Sequence, residues 1–277
     1  MAPLLAASLV AGQAVLSWFA SSNAPALSHV PTVNLTLTPI FNASQHATAL
    51  AVSLSVDALD IPSGGVLFAL SSLVGNVPIF DGKGLRARDT SGSLELAVSV
   101  DPASGLREWH TQRDTVGIVS WEFVAPPRTI TSLTRPGPRV DLRTDQGGLV
   151  GSGVYFLPLP PIDDSVMYDV RVDWNLEGAP PDTQAVWTFG DGAHSAKRGP
   201  ISMLQDTYYA VGPVNAYTSK DGQFGVYWFG KPMEFDPMQM ASGLEKMFAD
   251  MGAFYGKADE SYRIFIRKST ARSAGGT

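Results

Sequence analysis

The sequence predicts a mainly β protein: antiparallel β-sandwiches, then one C-terminal helix and a further strand. Three observations carry this. In segment after segment apolar residues alternate with polar or small ones, the period of a half-buried strand. The 277 residues include 27 glycines and 20 prolines, a density of turn formers that many short strands require. A single segment, near the C-terminus, spaces its apolar residues by three and four.

Taken in chain order, residues 1–27 form an apolar segment, broken between Pro3 and Phe19 only by Ser8, Gln13 and Ser17. This is a candidate signal segment, with small residues at Gly12-Gln13-Ala14 suited to cleavage. It is shorter than the roughly 20 residues of a spanning helix, so no transmembrane span is expected. Two sequons follow, Asn34-Leu35-Thr36 and Asn42-Ala43-Ser44, making Asn34 and Asn42 candidate glycosylation sites. Together these features give a secreted protein as the expectation, with the cytoplasm as the alternative.

Residues 28–232 read as the β-sandwich region. Val33, Leu35 and Leu37 alternate with Asn34, Thr36 and Thr38; Leu50, Val52, Leu54 and Val56 alternate with smaller neighbours; Leu94, Leu96, Val98 and Val100 do the same. Further strands are expected at 116–124, 154–157, 168–174, 184–189, 207–211 and 224–229. Asp81-Gly82, Asp191-Gly192 and Asp221-Gly222 supply positive-φ residues for hairpin turns. The proline-rich 126–138 stretch and the glycine-rich 147–153 segment are read as loops between strand groups. The latter lacks the Lys-Ser/Thr of a phosphate-binding loop.

Residues 233–277 hold the helix and last strand, a candidate start of a second domain. Met240, Leu244, Met247, Phe248, Met251 and Tyr255 mark one face of a helix from Pro237 to Tyr255, with Asp236 as N-cap and Gly256 as the C-terminal stop. A strand is expected at 262–267. With Met233 and Met238, the methionines make a core-packing or docking face.

Composition narrows the function. A hydrophobic fraction of 44% excludes general disorder. A net charge of −6 argues against nucleic acid as a partner. Arg263, Arg267, Lys268 and Arg272, with no acid after residue 260, read as a solvated strand and tail. The absence of cysteine excludes disulfides, thiolate metal sites and cysteine nucleophiles. None of the four histidines, His29, His46, His110 and His194, lies in a His-Glu-x-x-His zinc helix, and no Gly-x-Ser-x-Gly elbow is present. Asp191 and His194 fall within one turn and, with Glu122, are the polar candidates for acid–base chemistry. Tyr227-Trp228-Phe229 puts adjacent rings on opposite faces of a strand, so Tyr227 and Trp228 are candidates for an exposed ligand platform.

The segments Tyr168-Asp-Val-Arg-Val-Asp-Trp174, Gly178-Ala-Pro-Pro181 and Thr188-Phe-Gly-Asp-Gly192 resemble the region that precedes the catalytic domain in glycyl aminopeptidase-like zinc metallopeptidases, relatives of the gluzincins. The resemblance implies an N-terminal β domain, a helix at 237–255 and, at 262–267, the first strand of a thermolysin-like domain. It also implies docking to that domain, with Gly275-Gly276-Thr277 beginning a glycine-rich substrate-binding segment. The family's zinc helix, its general-base Glu and its downstream Glu ligand have no counterpart here. The expectation is therefore no catalytic residue, no metal ligand and no cofactor in this chain, with zinc only in a longer member. Three readings follow: a non-catalytic β region that helps shape a peptide-binding cleft, a stand-alone secreted sandwich that binds a small ligand or glycan, and a β-walled pocket for a metal-independent cyclisation or isomerisation.

Overall fold

The computed structural model describes residues 30–57, 59–131, 134, 137–231, 235–256 and 261–268. The candidate signal segment, Met233 and Gly275–Thr277 lie outside the described residues. The largest element is a seven-stranded sheet in the order His194–Gly199, Tyr168–Trp174, Thr32–Phe41, Ala47–Val56, Val119–Ala125, Arg86–Asp89, Gly92–Leu94. Its alternation is the one read from sequence: Val33, Leu35, Leu37, Leu54, Val56, Val119, Val170 and Val172 are fully buried on the inner face. Thr36, Thr38, Ser53 and Glu122 stand on the outer face. The sheet is not wholly antiparallel, because Thr32–Phe41 runs parallel to Tyr168–Trp174, Leu35 opposite Val172. Parallel neighbours need a long crossover, and local periodicity carries no trace of one.

The inner face is covered by two smaller sheets, and all three contribute to one core. One sheet joins Val66–Ser71, Leu106–Thr111 and Leu96–Val100; the other has the order Arg143–Asp145, Gly148–Ser152, Tyr208–Gly212, Gln184–Trp187, Gly190–Asp191. Beyond the five-stranded sheet lies a terminal sheet of Val214–Thr218, Phe224–Phe229 and Tyr262–Phe265, the last two parallel. The helix Pro237–Tyr255 packs on its far side. Sheets and helix thus stack in layers, and strands Gly148–Ser152, Tyr208–Gly212 and Phe224–Phe229 are buried on both faces. Tyr262–Phe265 shares a sheet with strand Phe224–Phe229 from the preceding region.

Several expectations are corrected. The 147–153 segment contains a buried strand, Gly148–Ser152, where a loop was expected. Its glycines hide the alternation because they permit close approach: a Cβ on Gly151 would lie 2.6 Å from Leu142 Cα, and one on Gly153 would lie 1.9 Å from the Leu204 carbonyl oxygen. Residues 153–156 form a short helix in place of the strand expected at 154–157. The run from Leu94 to Val100 is two strands in different sheets. Asp191-Gly192 is no hairpin turn: Thr188 and Phe189 make that turn, and residues 192–193 cross from the five-stranded to the large sheet. Asp221-Gly222 does turn a hairpin, with Gly222 at φ 72° and Ser219 Oγ donating to Asp221.

The helix begins and ends where its signals place it. The Asp236 carboxylate accepts the Met238 N–H at 2.9 Å, Pro237 follows, and Gly256 closes the last turn at φ 65°. Ala241, Met240, Leu244 and Phe248 pack against Phe224, Val226 and Trp228. Met238, Met247 and Met251 are about half exposed (50%, 52% and 49%), and Phe254 is 81% exposed. The methionine-rich helix therefore has two apolar faces, only one of them covered among the described residues.

Candidate functional site

The layering decides where each candidate residue falls. Tyr227 and Phe229 point into the five-stranded sheet, and Phe224, Val226 and Trp228 point to the helix. Tyr227 and Trp228 are 2% and 8% exposed, so the expected aromatic platform is an interior seam. The strand reads as surface-facing on one side only until a second layer is placed over it.

Asp191 meets Tyr227 across this seam. The phenol donates to Asp191 Oδ1 at 2.6 Å, and Arg263 Nε from the last strand lies 3.5 Å from the same oxygen. Burial, and then the hydrogen bond to Asp191, push the Tyr227 pKa well above the ordinary phenol value, so the phenol stays a proton donor at neutral pH. The trio ties the five-stranded sheet to both neighbouring strands of the terminal sheet. His194 takes no part: its Nδ1 lies 2.8 Å from Asp173 Oδ1 on the adjacent strand, at an exposed edge of the large sheet. Glu122 lies on the outer face of that sheet, in an open groove with Thr36, Thr38, Ser53, Lys83 and Arg86. Asp191 and Tyr227 are brought together; Glu122 and His194 join neither them nor each other.

The most strongly charged cluster was not legible in the sequence. Asp141, fully buried, accepts from Arg267 Nη2 at 2.6 Å, Arg143 Nε at 2.8 Å and Arg128 Nη1 at 3.3 Å. Arg267 Nη1 also donates to the Asp141 carbonyl at 2.7 Å. Burial pulls the Arg267 pKa below its ordinary value, Asp141 raises it, and Arg143 lowers it again. Asp145, beside this cluster, accepts the Lys268 N–H at 2.8 Å, and burial raises its carboxyl pKa. The expectation of a solvated basic end is corrected for Arg263 and Arg267, whose side chains are 7% and 6% exposed; Lys268 is exposed, and Arg272 lies outside the described residues. The one sequence-level hint was the Arg-x-x-x-Arg spacing, which puts both arginines on the same side of an extended chain.

Among solved structures, the chain is similar to an aminopeptidase N family protein from Idiomarina loihiensis, with a TM-score of 0.52 and 14% identity. The two share a fold. The likeness covers 84% of this chain and 38% of that one. The chain is also similar to an M1 zinc metallopeptidase from Deinococcus radiodurans, with a TM-score of 0.45, 14% identity, and coverage of 86% of this chain and 56% of that one. A two-domain M1 zinc metallopeptidase mutant bound to L-tryptophan has a TM-score of 0.48 at 14% identity, covering 87% and 58%. In each case this chain spans less than two thirds of the other's length. No family model and no curated protein sequence matches it. The resemblance read from Tyr168–Trp174 and its following turns therefore holds at the level of fold.

A zinc site takes three protein ligands. Among the described residues no three His, Cys, Asp or Glu side chains come together, and His194–Asp173 stands as a pair. Asn34 lies half-buried in Thr32–Phe41, an inner strand of the large sheet, 3.5 Å from Ser55 Oγ. Asn42 caps an exposed turn, its Oδ1 accepting the N–H groups of Ser44 and His46. Among the described residues no helix is long and apolar enough to cross a membrane.

Proposed function

We propose that this chain is the non-catalytic N-terminal β region of a longer aminopeptidase-like protein, and that it docks a catalytic domain and walls one side of its peptide-binding cleft. The observation that carries the reading is the uncovered second face of the Pro237–Tyr255 helix. Met247, Met251, Phe254 and Tyr255 are 49–81% exposed on it, in a shallow depression that also includes Gly243, Lys246 and Asp250. Contiguous exposed apolar surface of this kind marks interaction sites. Methionines adapt to a partner's shape. The partial coverage of the Idiomarina loihiensis protein supports the same reading, since a shared fold over 38% of that chain leaves room for a further domain. The secretory route belongs to the proposal as well, resting on Asn34, Asn42 and the apolar first residues.

The first test is the coding frame beyond Thr277. Continuation into a His-Glu-x-x-His segment supports the reading, and a stop codon there overturns it. The second uses the purified 277-residue chain, with metal analysis and hydrolysis of aminoacyl anilides. Neither stoichiometric zinc nor turnover is expected, and either one overturns the non-catalytic assignment.

A further inference from the structure

The sheet of Val66–Ser71, Leu106–Thr111 and Leu96–Val100 treats its two edges differently. The Val66–Ser71 edge is closed by Leu159, which exchanges two backbone hydrogen bonds with Ala69 at 2.8 and 3.2 Å. The Leu96–Val100 edge has no strand beside it among the described residues. The direction of its free groups follows from register. Ala97 opposes His110 and Ser99 opposes Glu108; beyond the ladder's two ends the Gln112 N–H donates to the Glu95 carbonyl, and the Asp101 N–H donates to the Leu106 carbonyl. Hydrogen-bonded pairs alternate in an antiparallel ladder, so residues 95, 97, 99 and 101 direct their backbone groups inward. Leu96, Val98 and Val100 direct theirs outward, and no hydrogen bond among the described residues uses them on that side.

The devices that blunt an edge strand are a lysine or proline on it, a bulge, or a covering element. Residues 96–100, Leu-Ala-Val-Ser-Val, contain neither residue type, their register is unbroken, and Val98 and Val100 are 57% and 50% exposed. We propose that this edge receives an extended peptide segment as an added strand, with apolar side chains over Val98 and Val100 and basic residues at both ends. Backbone pairing supplies the attachment, and alternate side chains supply the choice of partner. The basic ends follow from Glu95 and Asp101, which flank the edge three residues either side of Val98. A second copy of this chain is disfavoured by the same charges. Antiparallel self-pairing centred on Val98 places Glu95 of each copy against Asp101 of the other, and like charges directly opposite are destabilising.

The test titrates the full chain with a labelled, end-capped heptapeptide carrying valine at its second, fourth and sixth positions, threonine between them and lysine at both ends. A matching peptide ends in glutamate. Saturable binding of the lysine peptide is expected, at least about tenfold tighter than the glutamate peptide and weakening with salt. Val98→Pro removes one outward N–H and no ladder bond, so it should keep the fold and abolish binding. Should Val98→Pro misfold, Val100→Lys, which repels the lysine ends, should weaken binding at least about fivefold with the melting temperature unchanged. The proposal is overturned if the lysine peptide does not saturate, or if the two peptides bind alike. It is equally overturned if a folded Val98→Pro chain binds normally, or if Val98→Pro instead abolishes a dimer seen by sedimentation.

Discussion

Replacing Asp141 with asparagine tests the charge cluster that ties the last strand to the five-stranded sheet. In the native protein one fully buried carboxylate faces three guanidinium groups whose side chains are 16%, 16% and 6% exposed. Asparagine keeps the size and one accepting oxygen but removes the negative charge that the three arginines share. Removing one partner from a buried ion pair costs about 3–5 kcal/mol, because the remaining charge is left without compensation. Arg267→Met is the contrasting change. Asp141 then still faces Arg128 and Arg143, the repulsion between Arg143 and Arg267 disappears, and the loss is two hydrogen bonds to charged or carbonyl oxygen, about 1–2 kcal/mol net. The expected order is therefore Asp141→Asn well below Arg267→Met. The double variant should be more stable than the sum of the two changes predicts, by about 1 kcal/mol, since neighbouring charges couple. Urea unfolding followed by tryptophan fluorescence and by circular dichroism measures all four proteins. At about 2–4 °C per kcal/mol for a chain of this size, Asp141→Asn should also melt roughly 10 °C lower. The reasoning fails if Asp141→Asn costs less than Arg267→Met, or if the two changes simply add.

Three further outcomes follow from the geometry. Gly153→Ala should unfold the chain or cost more than about 3 kcal/mol, above the usual overpacking range, since its Cβ meets backbone 1.9 Å away; a near-wild-type urea midpoint would contradict the close approach. Asp89 is held below the ordinary carboxylate range by the Arg113 hydrogen bonds, against burial, and then by the N–H groups of Val116 and Ser91. Its contribution is thus present above the unfolded pKa of about 3.9 and lost as pH falls through the lower folded value. Asp89→Asn should therefore flatten the loss of stability between about pH 4 and pH 2, and an unchanged acid limb counts against the assignment. Asp236→Ala should cost about 1 kcal/mol through the lost helix cap, whereas Met247→Lys, on the uncovered face, should stay within about 0.5 kcal/mol. A large loss from Met247→Lys in the isolated chain would mean that this face is already packed.

Elements whose evidence is local were legible in the sequence. The helix needed only Asp236, Pro237, a three-and-four apolar spacing and Gly256, all within twenty-one residues, and it formed between those bounds. Strands Tyr168–Trp174 and Phe224–Phe229 formed where alternation or a dense aromatic run placed them. Gly148–Ser152 escaped because its backbone approaches Leu142 and its neighbours too closely for side chains, so there was no alternation to find. Of the site residues, Asp191 and Tyr227 were both singled out, yet nothing in their separation of 36 residues said that they would touch.

The sequence by itself determined the mainly β class, the helix with its caps, the alternating faces of the large sheet and the likeness to an aminopeptidase-like β region. The first three rest on periods of two and 3.6 residues and on turn chemistry, which act within a few neighbours; the likeness rests on the segments from Tyr168 to Gly192 that resemble that family. Tertiary structure alone decided that the central strands of two sheets would be covered on both faces, turning an expected aromatic platform into core and setting Arg267, expected in solvent, against buried Asp141. Among the described residues it also left the outer helix face and the Leu96–Val100 edge uncovered. The reason is physical: burial, charge compensation and edge pairing depend on which layers meet, and long crossovers, such as the one that sets Thr32–Phe41 beside Tyr168–Trp174, decide that.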